Sequence, residues 1–133
     1  RNVGTLLDEA MTDDSSLAVE AVENDSRWVL QASQPNGRRQ RVFVELSDPD
    51  SLVLIYSTCC EAVADFDRTA LERNSRMAHG SIAIRSIDGT PHFVVIDTYP
   101  RATVDAEELR RSVHEVARQA DRVERELTGA DIH

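Results

Sequence analysis

The sequence predicts an α+β protein with the order helix, three strands, helix, two strands and a long C-terminal helix. Two observations carry this prediction. A long amphipathic pattern spans residues 105–128, and the β-prone runs before it are joined by short turns. Strands joined by short turns pair antiparallel, and a helix with one apolar side needs a flat apolar surface beneath it. We therefore expect an antiparallel sheet with the helices packed on it.

The C-terminal helix has an apolar stripe and two marked ends. Asp105 and Glu108 fit a capping box, and Gly129 stands where a left-handed C-cap residue belongs. Burial of the larger aliphatic side chains in the stripe contributes roughly 1.5–3 kcal/mol each. The stripe recurs at spacings of three and four, and its members are Leu109, Val113, Val116, Ala117, Ala120, Val123 and Leu127.

The N-terminal segment carries a shorter helical pattern. Leu6, Leu7, Ala10 and Met11 recur at helical spacing within residues 3–11, and the polar run at 13–16 breaks the chain. Residues 17–22 fit either a further helical turn or a short extended piece. The pattern leaves this choice open.

Three strands are expected next. Residues 28–32 and 41–46 are β-prone runs on either side of Pro35-Asn36-Gly37, and Asn-Gly is a strong hairpin signal. Asp48-Pro49-Asp50 predicts a second turn. The almost continuously apolar run at 52–58 that follows predicts a central strand.

The second half of the chain alternates helix and hairpin. Asp67 is expected to cap a helix that runs to about residue 77, with Ala70, Leu71 and Asn74 on one side and Gly80 ending it. Residues 81–87 and 92–97 predict two strands joined by an Asp88-Gly89 turn.

The length and the net charge limit the classes of protein to which the chain can belong. At 133 residues we expect one domain over 1–133, with its core at 27–131 and an acidic helical lead-in at 1–25. The net charge of −9 argues against nucleic-acid binding, which needs a basic face. The longest apolar run is too short to span a membrane, and no N-terminal signal is visible. A cytoplasmic protein is expected.

The sequence contains few patterns typical of catalytic or metal-binding sites. All fifteen positive residues are Arg, which excludes a Schiff-base or phosphate-loop lysine. His114-Glu115 begins like a zinc-protease motif, but Arg118 stands where the second histidine belongs. We expect no catalytic residues, no metal and no cofactor.

Each of three sequence features allows two interpretations. The adjacent Cys59 and Cys60 suggest a reducing compartment, and we prefer buried apolar thiols to a redox or nucleophilic pair. The arginines at 38, 39 and 41 fit either a solvated hairpin tip or a clasp for a carboxylate or phosphate. Trp28 fits either a core residue or an anchor for a partner peptide.

Several short segments resemble a known group of proteins. They are ALERN at 70–74, HGSIAI at 79–84, Asp88-Gly89, TYP at 98–100 and the helix at 105–131 with Ala120-Asp121. Together they resemble the type III secretion chaperone-like superfamily. This group includes the class I (Tir-type) secretion chaperones and the YbjN-type proteins described as sensory transduction regulators. The resemblance covers roughly residues 27–131 and is more specific for fold than for function.

The resemblance implies a small, acidic, cytoplasmic bacterial homodimer without catalysis. Such a chaperone holds an extended segment of a client protein, for example a secreted effector, in apolar grooves and along strand edges. The residues we expect in the partner-binding groove are Leu6, Leu7, Trp28, Leu30, Val42 and Val44. The expected dimer contact is the helix after Asp67, through Ala70, Leu71 and Asn74.

Two other functions remain open at this point. The N-terminal helix is short, acidic and interrupted at 13–16, and in this it differs from the N-terminal helix of the secretion chaperones. This difference favours a YbjN-like regulatory protein as the alternative. A thiol-dependent enzyme or redox sensor using Cys59 or Cys60 is the third hypothesis, and a lowered thiol pKa would support it.

Overall fold

The structure, a computed structural model, describes residues 2–47 and 51–132, with side chains up to residue 129. The turn expected at Asp48-Pro49-Asp50 lies outside the described residues. The elements in chain order are α1 (Val3–Met11), β1 (Leu17–Glu23), β2 (Arg27–Ser33), β3 (Arg39–Leu46), β4 (Leu52–Glu61), a 3-10 turn (Ala64–Phe66), α2 (Asp67–Asn74), β5 (Ser81–Ile87), β6 (Thr90–Pro100) and α3 (Ala106–Ile132).

The six strands form one antiparallel sheet in the order β1-β2-β3-β4-β6-β5. The main core joins buried side chains of α1, α2 and α3 to one face of the sheet, and α3 lies across its middle strands. β4 is central, as its apolar run predicts. The α+β fold class with helices packed on an antiparallel sheet is confirmed. β1 and β5 are the two edge strands.

The sheet contains one strand more than the sequence predicted. Residues 17–22 adopt the extended alternative, and β1 pairs along β2 with a register shift between Val19 and Ala21. Four strands rather than three therefore precede α2. The segment expected to be a helical lead-in contains both α1 and β1, because β1 gains its hydrogen bonds from a neighbour that a local pattern does not reveal.

The helix α3 has the predicted stripe and the predicted N-terminal cap. All seven stripe residues are buried. The backbone N–H of Glu108 donates to Oδ1 of Asp105 at 2.8 Å, and the N–H of Asp105 donates to Oε1 of Glu108 at 3.1 Å. The expected C-cap at Gly129 is wrong, because α3 continues to Ile132 with Gly129 inside it. A glycine within a helix costs only about 1 kcal/mol relative to alanine.

The helix α2 is shorter than predicted and begins differently. Asp67 is its first residue, whereas the N-cap position belongs to Phe66, which makes no side-chain capping bond. The helix ends at Asn74, and Gly80 follows at φ +69°. A Cβ on Gly80 would lie 2.9 Å from the carbonyl oxygen of Ile96. The chain can therefore approach β6 this closely only with glycine at position 80.

The β5–β6 hairpin turns at Asp88 and Gly89, both at positive φ, as the Asp-Gly pair predicts. None of the helices within residues 2–47 and 51–132 is long and apolar enough to cross a membrane.

Candidate functional site

The six residues predicted to line a partner groove lie inside the protein. Each is 7% exposed or less, and all belong to one core cluster: Leu6, Leu7, Trp28, Leu30, Val42 and Val44. α1 packs on α3 and reaches Trp28, since a Cβ on Gly4 would lie 3.5 Å from Cζ2 of Trp28, and α3 packs on β2 and β3. The expected open groove is thus filled by the chain's own helices. Contact of a partner with these residues stays a prediction.

The three residues predicted for a dimer contact have three different environments. Ala70 is buried and Leu71 is 69% exposed. The carboxamide of Asn74 bonds to the backbone of Ile82, accepting from its N–H and donating to its carbonyl oxygen at 3.1 Å. Leu71 alone of the three presents an apolar side chain to solvent. A dimer contact here also stays a prediction.

An apolar groove lies between α2 and the edge strand β5. Its volume is about 290 Å³, and its lining is almost entirely apolar: Asp67, Ala70, Leu71, Ile82, Ala83, Ile84 and Phe93. Leu71 and Ile84 are among the most exposed large apolar side chains of the described residues, at 69% and 54%. Together they form the rim of the groove. We call this feature the β5 groove.

The free edge of β5 borders the same groove. β5 pairs with β6 on one side, and no strand within the described residues pairs with its other side. Because Asn74 bonds both backbone groups of Ile82 from outside the sheet, Ile82 points its N–H and C=O away from β6. Backbone groups alternate in direction along a strand, so those of Ile84 and Ser86 also point outward. The β5 groove therefore joins an apolar pocket to outward-facing backbone groups.

The charge around the β5 groove is negative. Asp67 is the one charged residue among its lining, and Asp65 and Asp88 are exposed in the 3-10 turn before α2 and in the β5–β6 turn. Within the described residues these three carboxylates make no ion pair, whereas Arg68 is paired with Glu72 at 2.8 Å. Asp67 therefore places one negative charge beside the apolar lining of the groove.

The helix-free face of the sheet carries a second apolar cluster that is already covered. The rings of Phe43 and Tyr56 stack at 5.1 Å between centroids. Arg27 and Arg85 lie over these rings, each 4.5 Å from a centroid. Glu45 pairs with both arginines, at 3.6 Å and 3.0 Å. This face is therefore closed by the chain's own side chains and offers little apolar surface to a partner.

The thiols lie in an environment that opposes reactivity. Burial, followed by the charges of the neighbouring Cys60 and of Glu124, raises the pKa of Cys59 to about 12. Burial also raises the pKa of Cys60, followed by the charge of Glu124. Because the thiolate is the nucleophile, a raised pKa disfavours the hypothesis of a thiol enzyme or redox sensor.

The remaining candidate groups have structural partners. Arg38 is paired with Asp121 at 2.8 Å and Arg41 with Glu20 at 2.9 Å, so both guanidinium groups already have carboxylate partners. Nε2 of His114 lies 2.8 Å from Oδ2 of Asp14. No group of three histidine, cysteine or acidic side chains that could hold a metal ion occurs among the described residues.

Sequence reasoning missed most of the β5 groove. Ala70 and Leu71 were predicted as contact residues, whereas Ile84, Phe93 and Asp67 were not singled out for binding. The alternation of Ile82 and Ile84 in a predicted strand was the available signal. It does not reveal that β5 ends the sheet, because strand order depends on pairing between distant segments.

Comparison with known proteins bears on the fold. No protein-family model matches the chain, and no curated protein matches it. Among solved structures, it is similar to a chain in the structure of the HopA1-SchA chaperone-effector complex, with 15% sequence identity, 93% of both chains covered and a TM-score of 0.62. At this identity the similarity concerns the fold. The chaperone-like fold that the sequence resemblance implied is confirmed.

Proposed function

We propose that this chain is a non-catalytic protein-binding domain that holds an extended segment of a partner protein, in the manner of a secretion chaperone. The observation that supports this most is the β5 groove, where an apolar pocket borders outward-facing backbone groups. An extended peptide satisfies both, because its backbone pairs with the strand edge and an alternate side chain enters the pocket. The similarity in fold to a chain of a chaperone-effector complex is consistent with a protein client.

The β5 groove suits a client better than the groove predicted from sequence. A client at Trp28 would first have to displace α1, whose Val3, Leu6 and Leu7 are buried. Exposing these three side chains costs roughly 1.5–3 kcal/mol each. The β5 groove is open without displacement of α1.

The resemblance also implies a homodimer in the cytoplasm without a cofactor, and we include these in the proposal. Leu71 is the exposed member of the expected dimer contact, so it is the position at which a dimer through α2 is tested. Sedimentation of the wild-type chain and of Leu71→Glu measures this directly. A dimer that persists in Leu71→Glu would use another surface.

A YbjN-like regulatory role is the second candidate function, and one observation favours it. The apolar residues at which effector binding was expected are buried inside the chain, Leu6 and Leu7 of α1 among them. A chain with that surface closed fits a regulator that binds a folded signalling protein. The two candidates therefore differ in the state of the bound partner.

Capture of partners from a lysate of the native host separates the two candidates. The tagged chain and an equally acidic control protein are compared by quantitative mass spectrometry in moderate salt, which suppresses non-specific charge attraction. We expect one enriched partner whose binding is lost when its disordered segment is deleted. Enrichment of folded signalling proteins supports the regulator. Equal recovery by both baits contradicts both candidates.

A further inference from the structure

Of the arginines at 38, 39 and 41, only Arg39 has a guanidinium without a partner among the described residues. Arg38 bonds Asp121 at 2.8 Å, and Arg41 pairs with Glu20 at 2.9 Å. Arg39 is exposed, and its side chain makes neither an ion pair nor a hydrogen bond in the part of the chain that the structure describes. Its N–H donors therefore stay available to a ligand.

The side chain of Arg39 lies beside serine hydroxyls. Arg39 and Ser33 are partners in the antiparallel register of β2 and β3, so their side chains share one face with Cβ atoms roughly 5 Å apart. The N–H of Ser33 donates to the carbonyl oxygen of Ser16 at 2.8 Å, which brings the turn at Ser15 and Ser16 to the end of these strands. The exposed hydroxyls of Ser15 and Ser33 bond no other described residue. One guanidinium and two hydroxyls thus line a polar cavity of about 400 Å³.

The balance of charge in this cavity is positive. Glu20 is the one acidic residue of its lining, and its carboxylate accepts hydrogen bonds from Gln31 at 2.9 Å and from Arg41 at 3.0 Å. The charges of Glu20 and Arg41 offset one another, because the two groups form an ion pair. The charge of Arg39 remains, on a chain whose net charge is −9. The cavity therefore suits an anion with a single charge.

The lining further narrows the class of anion. A guanidinium donates two parallel hydrogen bonds to a carboxylate, and one guanidinium balances its one charge. A phosphate monoester carries about −1.5 to −2 and would exceed the charge of Arg39. Val19, which is 43% exposed, also lines the cavity and offers an apolar contact. These features favour a carboxylate that carries a short aliphatic group.

We infer that Arg39, Ser15 and Ser33 form a binding site for a small aliphatic carboxylic acid. The carboxylate binds the guanidinium of Arg39 and accepts hydrogen bonds from the two hydroxyls, and the aliphatic group lies against Val19. This site goes beyond the proposed function. It is separate from the β5 groove, because its residues belong to β1, β2 and β3 at the opposite end of the sheet.

The probe is isovalerate, which joins one carboxylate to a short branched aliphatic chain. NMR titration of the isotopically labelled chain in a Tris chloride buffer follows the amides of Ser15 and Ser33 and the side-chain Nε–H of Arg39. We expect saturable shifts of these signals with a Kd on the order of 1–10 mM, as suits so small a ligand. The absence of saturable shifts up to about 50 mM would overturn the inference.

Two relatives of the probe test the chemistry of the ligand. Isovaleramide has nearly the same shape without the charge and is expected to bind at least about tenfold more weakly. Acetate lacks most of the aliphatic group and is expected to bind about threefold more weakly or worse. Equal affinity of the acid and the amide would exclude the guanidinium as the anchor. Tighter binding of methyl phosphate than of isovalerate would contradict the assignment to carboxylates.

Substitutions of Arg39 test the anchor. We expect Arg39→Gln to raise the Kd at least about tenfold, because it removes both the charge and the planar fork of donors. Arg39→Lys keeps the charge without the fork and should lie between Arg39→Gln and wild type. Ser33→Ala removes one hydroxyl and should raise the Kd about threefold. A Kd that is unchanged in Arg39→Gln would overturn the inference.

Arg76→Gln is the matched control variant. Arg76 lies in the turn after α2 and is exposed, and its side chain likewise has no ion pair within the described residues. Arg76→Gln changes the net charge as Arg39→Gln does, so its Kd is expected to stay within about twofold of wild type. Equal losses of affinity in the two variants would reveal a general attraction of the anion by charge and would contradict a site at Arg39.

An acidic side chain of a partner protein is the other source of a carboxylate. Capture of partners from lysate by wild type and by Arg39→Gln distinguishes it from a small molecule. If isovalerate fails to bind and Arg39→Gln loses a partner that wild type captures, Arg39 serves a protein carboxylate and the inference fails. If isovalerate binds as expected and capture is equal, the small-molecule site is supported and the protein-binding function is unaffected.

Discussion

Arg38 and Asp121 are 83 residues apart in sequence, and Nε of the arginine lies 2.8 Å from Oδ1 of the aspartate. The side chain of Asp121 on α3 is 3% exposed, whereas that of Arg38 is half exposed. Nε of Arg38 is the one hydrogen-bond donor to this carboxylate among the described residues, and Arg125 lies 3.6 Å from its other oxygen. This pair therefore ties the β2–β3 hairpin to the C-terminal helix.

We expect Arg38→Gln to destabilise the fold by about 1–3 kcal/mol. Removing the arginine leaves a buried carboxylate with less compensation, and the exposure of Arg38 puts the cost below that of a fully buried pair. Urea denaturation measures the change. Arg39→Gln, at the exposed neighbouring position, is the control and should change the free energy of unfolding by less than about 0.5 kcal/mol. Equal stability of the two variants would show that the pair contributes nothing.

The capping box of α3 gives a second prediction. Asp105→Ala removes the acceptor for the N–H of Glu108, which lies 2.8 Å from Oδ1 in the wild type. We expect a loss of about 1 kcal/mol in the free energy of unfolding. Asp105→Asn, which keeps a side-chain oxygen at the N-cap, is the control and should recover most of the loss. Asn and Ala variants of equal stability would contradict a capping role.

The contact between Asp14 and His114 predicts an effect of pH on stability. The hydrogen bond with His114 holds the pKa of Asp14 below its usual value of 3.8, followed by the hydrogen bond with the hydroxyl of Ser16. A lowered carboxyl pKa contributes stability that is present above the unfolded value of 3.8. This contribution is lost as the pH falls through the lower, folded value.

Asp14→Asn should therefore be less stable than wild type at about pH 5, and the difference should shrink as the pH is lowered below about 3.8. Thermal denaturation across this range measures both effects. Asp13→Asn is the control, because Asp13 is exposed and asparagine tolerates its φ of 63°. A difference between Asp14→Asn and wild type that stays constant with pH would exclude the predicted linkage.

The raised thiol pKa values predict slow alkylation. Cys59 is buried and its pKa is about 12, so very little thiolate is present near pH 8. We expect iodoacetamide to modify Cys59 in the folded chain at least about a hundredfold more slowly than in urea, with Cys60 intermediate because it is less buried. Mass spectrometry of timed samples measures both rates. Rapid modification of folded Cys59 would revive the thiol hypothesis.

The structure confirms the elements that have strong local signals. The stripe and N-cap of α3 were readable because a helix repeats every 3.6 residues and its first turn needs a side-chain acceptor. The Asn36-Gly37 and Asp88-Gly89 turns were readable because glycine at positive φ marks a hairpin. The extent of α2, the helical state of Gly129 and the strand β1 lacked such local signals.

Apolar residues were easy to identify from the sequence, but their exposure was not. Val42 and Leu71 are both large and aliphatic, yet Val42 lies under the helical layer and Leu71 is largely solvent-exposed. Pattern alone indicates that such a residue prefers burial. It does not tell whether the chain itself or a partner provides the cover.

The sequence by itself determined the fold class, the acidic character and the lack of metal and phosphate-binding motifs, since each follows from composition or from short-range periodicity. The tertiary structure decided which apolar residues the chain itself covers and which it leaves exposed. The order β6-β5 at one end of the sheet leaves Ile84 on a free edge, and Asn74 at the end of α2 bonds that edge at Ile82. Both features depend on contacts between segments distant in sequence, and local patterns carry no information about them.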